Sequence, residues 1–301
     1  MKMSSYKLET AINGFLGYLR SVKRLSNRTI KAYQYDLTSF LGYFRDNNVL
    51  DIEDISKEHI NQYLSCITLS KTGSTANYNR KLSCIRSFYN YLGQKGFNKA
   101  FIEEYRPVKN HSRQISYLTE VEKKKFIDTV KYHSTPFYKI RDLSIISLFL
   151  NTGIRVSELV NLRIDDIDFR KEGFSYIRIT RKGGSEETLP LSNEVAKRIQ
   201  KYLKKRPQIK ERRVFIGRKG TNLQANSIYY LVKKYLRKAD INKKKMGPHM
   251  LRHTVGVSLL KKGVDLFTIQ KILGHKRLDT TSVYLHVEPE DIERAINLIT
   301  I

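Results

Sequence analysis

Apolar residues recur at helical spacing along most of this 301-residue chain, and this periodicity sets the strongest limit on its fold. In the first hundred residues, four separate segments carry the pattern. A serine that can cap a helix precedes three of them, at Ser26, Ser56 and Ser74. We therefore predict a four-helix domain over residues 1–106.

The stretch that follows has no periodic pattern. Residues 107–117 are mostly polar and basic and begin with Pro107, which is typical of an interdomain linker. Helical periodicity then resumes, and Thr119 and Glu122 have the spacing of a capping box. Because a chain of this length can bury two ordinary cores, we predict a second domain over residues 118–301 that ends in a tail helix.

One segment of the second domain, from Phe174 to Leu191, alternates apolar and polar side chains. Gly183-Gly184 marks a turn in its middle, so the segment predicts a β-hairpin with Lys182 at its tip. A lysine in such a place is ordinarily solvated. The predicted fold class is mainly α with a small β-hairpin, an α+β arrangement.

Single residues indicate where several helices of the second domain begin and end. The apolar run 140–150 predicts a buried helix, and residues 151–153, Asn-Thr-Gly, should end it. Arg155 would then begin the next helix. Ser192 and Ser227 are each expected to open a further one.

Pro248 suits the first turn of another helix, where its missing N–H would have no partner, and Gly263 is expected to end that helix. His249 and Arg252 lie three apart on it, so an imidazole and a guanidinium could reach one ligand together. His249 and His253 are four apart, which could suggest zinc. Zinc needs a third ligand, and the usual HExxH pattern is missing, so we expect neither a metal nor a cofactor.

A second short helix is predicted from Asp265 to Leu273, ended by Gly274, and it delivers His275. Tyr284 follows nine residues later. Taken singly, a histidine or tyrosine is more often a packed or surface residue than a catalyst. Two histidines, an arginine and a tyrosine in one short stretch could instead share a phosphate.

Basic side chains dominate the charge of the chain, with 56 lysines and arginines against 29 acids and a formal net charge of +27. Within residues 197–245 we count 18 basic residues and two acids. Such an excess implies a polyanionic partner, for which DNA phosphates are the natural candidates. No apolar run approaches the roughly 20 residues of a membrane span, so we expect a cytoplasmic protein, nucleoid-associated when bound to DNA. Cys66 and Cys84 are too few for a disulfide framework and are both expected to pack within helices.

Together these motifs resemble the catalytic residues of the tyrosine recombinases, also called the phage integrase family. HMLRH is similar to the family's His-x-x-Arg, LGH to its second histidine, and Tyr284 to its nucleophile. Upstream, NTGIRVSEL supplies an arginine with Glu158 in the acidic position, and RKGGSEETLPL resembles the lysine-bearing hairpin. The resemblance implies six catalytic residues: Arg155, Lys182, His249, Arg252, His275 and Tyr284.

The resemblance also implies a mechanism and an assembly. Tyr284 would attack the scissile phosphate and form a 3′-phosphotyrosyl link, while Arg155, Arg252 and His275 stabilise the phosphate. His249 would act as an acid–base group near Tyr284, and Lys182 would protonate the leaving 5′-hydroxyl. The first domain resembles the family's SAM-like core-binding domain, and the two domains would close around double-stranded DNA in a minimal, Xer-like layout. A homotetramer on paired DNA sites would pass through a Holliday junction.

Two other functions fit parts of the pattern. A type IB topoisomerase shares the chemistry but relaxes supercoils as a monomer, and a non-catalytic DNA-binding regulator could use the same fold. The residues leave open the target sequence and the biological role, which could be chromosome-dimer resolution, integration and excision of a mobile element, or resolution of a transposition product. They also leave open whether a second recombinase or an accessory protein takes part. The tail helix within 289–301 could pack on its own protomer or on a neighbour.

Overall fold

The computed structural model describes residues 6–69, 74–97, 100–108, 115–132, 136–181, 183–217, 220–275, 281 and 284. The chain divides into two compact units, residues 1–112 and 113–301. Lys182, residues 109–114 of the predicted linker and the predicted tail helix at 289–301 lie outside the described residues. Within the described part, no helix combines the length and apolar character needed to cross a membrane.

The described part of the first unit is helical. Its elements are α1 (Leu8–Ser21), α2 (Asn27–Asp46), α3 (Lys57–Leu69), α4 (Thr75–Gly93) and a 3₁₀ helix (Ala100–Glu104). Their apolar stripes meet in one core, where Phe15 and Phe88 are fully buried. Ser26, Ser56 and Ser74 each accept a hydrogen bond at Oγ from the backbone N–H three residues later. These caps stabilise the first turns of α2, α3 and α4.

The second unit combines helices with a small sheet. Its helices are α5 (Glu120–Tyr132), α6 (Pro136–Thr152), α7 (Val156–Asn161), α8 (Asn193–Lys205), α9 (Ala225–Lys238), α10 (Pro248–Lys261) and α11 (Leu266–Leu273). A 3₁₀ helix spans Ile164–Asp166. α6 lies in the core against α8 and α10, and its Phe149 is fully buried. Thr119 and Glu122 form the predicted capping box of α5, each side chain accepting from the backbone N–H of the other residue.

The sheet has three antiparallel strands in the order β1 (Ile167–Asp168), β2 (Ser175–Thr180) and β3 (Glu186–Leu191). β2 and β3 form the predicted hairpin, with Ser175 paired to Leu191 and Thr180 to Glu186. Mostly helical structure with this small sheet confirms the predicted fold class. β1 was not predicted, because two residues are too short to display an alternating pattern.

Two local predictions were wrong. α9 begins at Ala225 rather than at Ser227, because Gln224 is extended and its carbonyl accepts from the N–H groups of Ser227 and Ile228. The start therefore rests on backbone hydrogen bonds, not on a serine cap. Cys84 is buried as expected, but Cys66 is exposed because it lies off the apolar stripe of α3.

Candidate active site

Arg155 immediately precedes α7, and hydrogen bonds fix both its backbone and its side chain. Its backbone N–H and its Nη1 each donate to one carboxylate oxygen of Glu158, both at 2.8 Å. Nη2 donates to the carbonyl oxygen of Gly274 at 2.7 Å. Because 29% of the side chain remains exposed, the guanidinium is held in one orientation and can still reach a ligand.

Arg252 projects from α10 and is buried, with 5% of its surface exposed. Nη1 donates to the carbonyl oxygen of Gly153 at 2.7 Å, and Nη2 donates to the carbonyl oxygen of Leu273. Burial, with a contribution from the charge of Arg155, lowers the pKa of Arg252 to about 10. The side chain is therefore still a cation at neutral pH. Since the two guanidinium groups repel each other, an anion bound between them would stabilise both.

Gly153 connects α6 to α7 and supplies one of the carbonyls that hold Arg252. Its φ is +62°, a left-handed conformation that strains any residue with a Cβ atom. A Cβ here would also lie 2.5 Å from Cδ2 of Leu273, the residue whose carbonyl holds the other Nη. Gly153 thus permits α6 to approach the end of α11 closely.

We expect Gly153→Ala to destabilise the protein because it combines backbone strain with this collision. Gly173→Ala is the matched control: its φ is +73°, and an added Cβ would meet no atom of the described residues within 4 Å. Both variants should lose about 1–2 kcal/mol from strain, and Gly153→Ala about 1–3 kcal/mol more from overpacking. Urea unfolding measures the difference. Equal losses would show that the contact with Leu273 relaxes freely.

His275 follows Gly274, which ends α11 in a left-handed conformation. Its Nδ1 lies 2.9 Å from Oγ1 of Thr281, and its ring stacks on that of Tyr284 with centroids 6.3 Å apart. Burial, followed by the charges of Arg252 and Arg155, lowers the pKa of His275 to about 4. The imidazole is therefore neutral at pH 7, and its Nε2 could donate a hydrogen bond to a bound phosphate.

Tyr284 is buried, with 4% of its surface exposed, and packs with Val255, Ile269 and Leu273. Its Oη lies 3.1 Å from Nδ1 of His253. Burial raises the pKa of Tyr284, and the charge of Arg252 opposes this effect. The phenol is thus protonated at neutral pH but lies within the electrostatic field of the Arg252 guanidinium.

The phenol of Tyr284 contacts His253, whereas the resemblance implied that His249 would be the acid–base group near Tyr284. His249 is exposed one turn earlier on α10, and its ring lies 6.4 Å from that of Tyr229 between centroids. Sequence reasoning weighed His253 only as a metal ligand. The signal that could have identified it is helical spacing, since His249, Arg252, His253 and Gly256 occupy positions i, i+3, i+4 and i+7 of one face.

Glu158 also holds a second arginine that the sequence did not single out. Arg181, 5% exposed at the end of β2, donates through Nη1 to Glu158 at 3.1 Å and through Nε to Glu187 at 2.8 Å. Its Nη2 donates to the carbonyl oxygen of Ile272 at 3.0 Å. One buried carboxylate therefore links α7 to the turn end of the hairpin, beside Lys182 in sequence.

Glu158→Gln should lower the free energy of unfolding by about 2–3 kcal/mol, because it removes the buried charge that offsets Arg155 and Arg181. Glu194→Gln is the matched control. Glu194 is 73% exposed and pairs with Arg198 on the same helix, so its loss should cost under about 0.5 kcal/mol. Chemical denaturation of both variants measures the costs. A loss for Glu158→Gln as small as the control would contradict the structural role given to Glu158.

The structure therefore brings Arg155, Arg252, His275 and Tyr284 together, with His253 added, where α7, α10 and α11 meet. The hairpin turn is closed by hydrogen bonds from the Arg181 N–H to the Ser185 carbonyl and from the Gly184 N–H to the Arg181 carbonyl. Lys182 itself is outside the described residues. Among those that are described, no group of three or more His, Cys, Asp and Glu side chains could hold a metal ion.

Comparisons with known proteins agree with this architecture. The phage integrase family matches residues 116–291, and the phage integrase N-terminal SAM-like domain matches residues 12–96. Tyrosine recombinase XerC of Caldanaerobacter subterraneus subsp. tengcongensis is 35% identical, with 98% of this chain and 88% of that protein aligned.

Two crystal structures share the fold. XerH site-specific recombinase bound to its difH substrate has a TM-score of 0.80 at 22% identity, with 97% of this chain and 96% of that chain covered. A lambda integrase tetramer bound to a Holliday junction has a TM-score of 0.70 at 17% identity, with 94% of this chain and 78% of that chain covered.

The chain therefore belongs to the phage integrase family. Within that family it is an enzyme of the tyrosine recombinase class, which breaks and rejoins DNA strands in site-specific recombination.

Proposed function

We propose that Tyr284 Oη attacks a scissile DNA phosphate bound by Arg155, Arg252 and His275, forming a 3′-phosphotyrosyl link. The observation that carries this proposal is the convergence of two anchored guanidinium groups with a buried phenol, in the part of the fold where α10 meets the end of α11. Tyr284 would hold one DNA end covalently, and rejoining would reverse the attack. The phosphodiester bond energy is conserved in that intermediate.

The two arginines are suited to stabilising the charge that develops on the phosphate. Each is already held by backbone carbonyls, Arg155 by Gly274 and Arg252 by Gly153 and Leu273, so little reorganisation is needed when DNA binds. Guanidinium groups can each donate two hydrogen bonds to non-bridging oxygens. His275 would add a third donor through Nε2.

Two further residues enter by resemblance to the family. Lys182 would protonate the leaving 5′-oxygen, since an alkoxide leaves poorly without an acid. His249 would act as an acid–base group, and its side chain is exposed on α10.

The assembly that fits this chemistry is a homotetramer on two paired duplex sites, which exchanges strands two at a time through a Holliday junction. The lambda integrase assembly of similar fold supports such an arrangement. The basic excess within residues 197–245 would neutralise DNA phosphates. A DNA substrate also supports a cytoplasmic location. A second recombinase or an accessory protein could join the same complex.

A nicked duplex that traps the covalent intermediate tests this function. Wild-type protein is incubated with nicked fragments that tile candidate target DNA, and protein–DNA adducts are resolved on denaturing gels. We expect an adduct at one sequence and recombination between two copies of it. Adducts at many unrelated sequences would indicate a topoisomerase, and binding without any adduct would indicate a regulator.

A further inference from the structure

His253, on α10, contacts the phenol of Tyr284. We propose that Nδ1 of His253 accepts the phenolic proton as Tyr284 attacks the phosphate. This inference rests on the proposed function, because it takes Tyr284 as the nucleophile. It adds the group that activates that nucleophile.

Packing fixes the phenol against the helix that carries His253. Tyr284 Oη lies 3.1 Å from His253 Nδ1, and the two rings meet edge to face with centroids 5.7 Å apart. Gly256, one turn further along α10, makes room for the tyrosine ring, since a Cβ there would lie 2.6 Å from its Cε2 and Cζ atoms. His253 and Gly256 are three apart and therefore face Tyr284 together.

The two other histidines near the site make different contacts. Nδ1 of His275 lies at hydrogen-bond distance from Oγ1 of Thr281, and the face of its ring stacks on Tyr284. His249 is exposed, and its ring lies near that of Tyr229. Among the described residues, His253 is the histidine with a ring nitrogen at hydrogen-bond distance from the phenol. Geometry is the first requirement for a general base, and His253 meets it.

His253 is also in the protonation state that a base requires. Burial, followed by the charges of His249, Arg252 and Lys245, lowers the pKa of His253 to about 4, so the ring is neutral at pH 7. With its proton on Nε2, Nδ1 can accept from Oη. A phosphodiester bound at Arg252 would offset the positive charge around the ring and raise its pKa, which makes it a stronger base once DNA is bound.

The proposed step balances in both directions. During cleavage the Oη–H proton moves to His253 Nδ1, the Oη–phosphorus bond forms, and the bond from phosphorus to the 5′-oxygen breaks. The leaving 5′-oxygen takes a proton from its own acid, Lys182 in the proposed function. During rejoining a 5′-hydroxyl attacks phosphorus and gives its proton back to Lys182, the Oη–phosphorus bond breaks, and the tyrosine oxygen recovers its proton from His253.

Imidazole rescue tests this role. His253→Ala, His253→Gln and His249→Ala are compared with wild type in single-turnover cleavage of the nicked duplex at saturating DNA, with and without added imidazole. We expect His253→Ala to cleave DNA at least about a hundredfold more slowly than wild type, because a positioned general base accelerates proton transfer by at least about that factor. Added imidazole should raise the cleavage rate of His253→Ala about tenfold. His253→Gln keeps a polar side chain in the same space, so it should be slow and unresponsive to imidazole.

Three outcomes would overturn the inference. The first is cleavage by His253→Ala at a rate within about threefold of wild type. The second is slow cleavage by His253→Ala that added imidazole does not accelerate. The third is rescue by imidazole of His249→Ala instead of His253→Ala. Tyr284→Phe is measured in parallel. An adduct formed by that variant would contradict the proposed function itself, whereas normal cleavage by His253→Ala would contradict only the role of His253.

Discussion

Tyr284→Phe should form no covalent adduct with DNA while binding a half-site almost normally. Phenylalanine retains the ring that packs beside Gly256 and stacks on His275, so the fold around the site should persist. Only Oη is lost, and with it the hydrogen bond to His253. Adduct formation on the nicked duplex and gel shift on a half-site measure the two properties separately.

The control for this variant is Tyr230→Phe. Tyr230 lies on α9 with 76% of its surface exposed, so removal of its hydroxyl should leave cleavage within about twofold of wild type. If Tyr284→Phe still formed an adduct, the nucleophile would lie elsewhere, and the exposed tyrosines Tyr229 and Tyr230 would be examined first.

Arg252→Ala should slow strand cleavage at least about a hundredfold, the scale of losing a preorganised donor to a developing oxyanion. Half-site binding should fall far less, because the chain has 56 basic residues and few can reach the scissile phosphate. Quenched single-turnover cleavage and half-site titration separate the two effects. Comparable losses in both would mean that Arg252 serves binding rather than chemistry.

Two further variants separate charge from geometry at this position. Arg252→Lys keeps the positive charge. Lysine cannot donate hydrogen bonds to the carbonyls of Gly153 and Leu273 and also donate a pair of hydrogen bonds to the phosphate. The variant should therefore fold but cleave DNA poorly. Arg170→Ala removes an arginine that is 55% exposed, and we expect cleavage within about threefold of wild type. Near-normal cleavage by Arg252→Lys would show that charge alone suffices.

Local signals in the sequence predicted most of the fold. The capping serines, the Thr119–Glu122 box, Pro248 and Gly274 act through neighbours a few residues away, so the chain order reveals them. The hairpin was visible because six-residue strands are long enough to alternate. The start of α9 was misplaced because it depends on backbone hydrogen bonds to Gln224, and strand β1 was missed because two residues are too short to alternate.

The sequence selects candidate site residues, but it does not reveal the contacts that these residues make. The resemblance selected Arg155, Arg252, His275 and Tyr284. The structure adds that the carbonyl of Gly274, 119 residues away in sequence, accepts a hydrogen bond from the guanidinium of Arg155. His253 went unassigned because its partner is 31 residues away on another segment. Arg181 looked like an ordinary basic residue of a strand, and only its burial against Glu158 distinguishes it.

The residue that becomes linked to DNA can be mapped directly. The adduct trapped on the nicked duplex is digested with nuclease and protease, and the modified peptide is sequenced by mass spectrometry. We expect a nucleotide joined through its 3′-phosphate to Tyr284. A link to any other residue, or to Tyr284 through a 5′-phosphate, would contradict it.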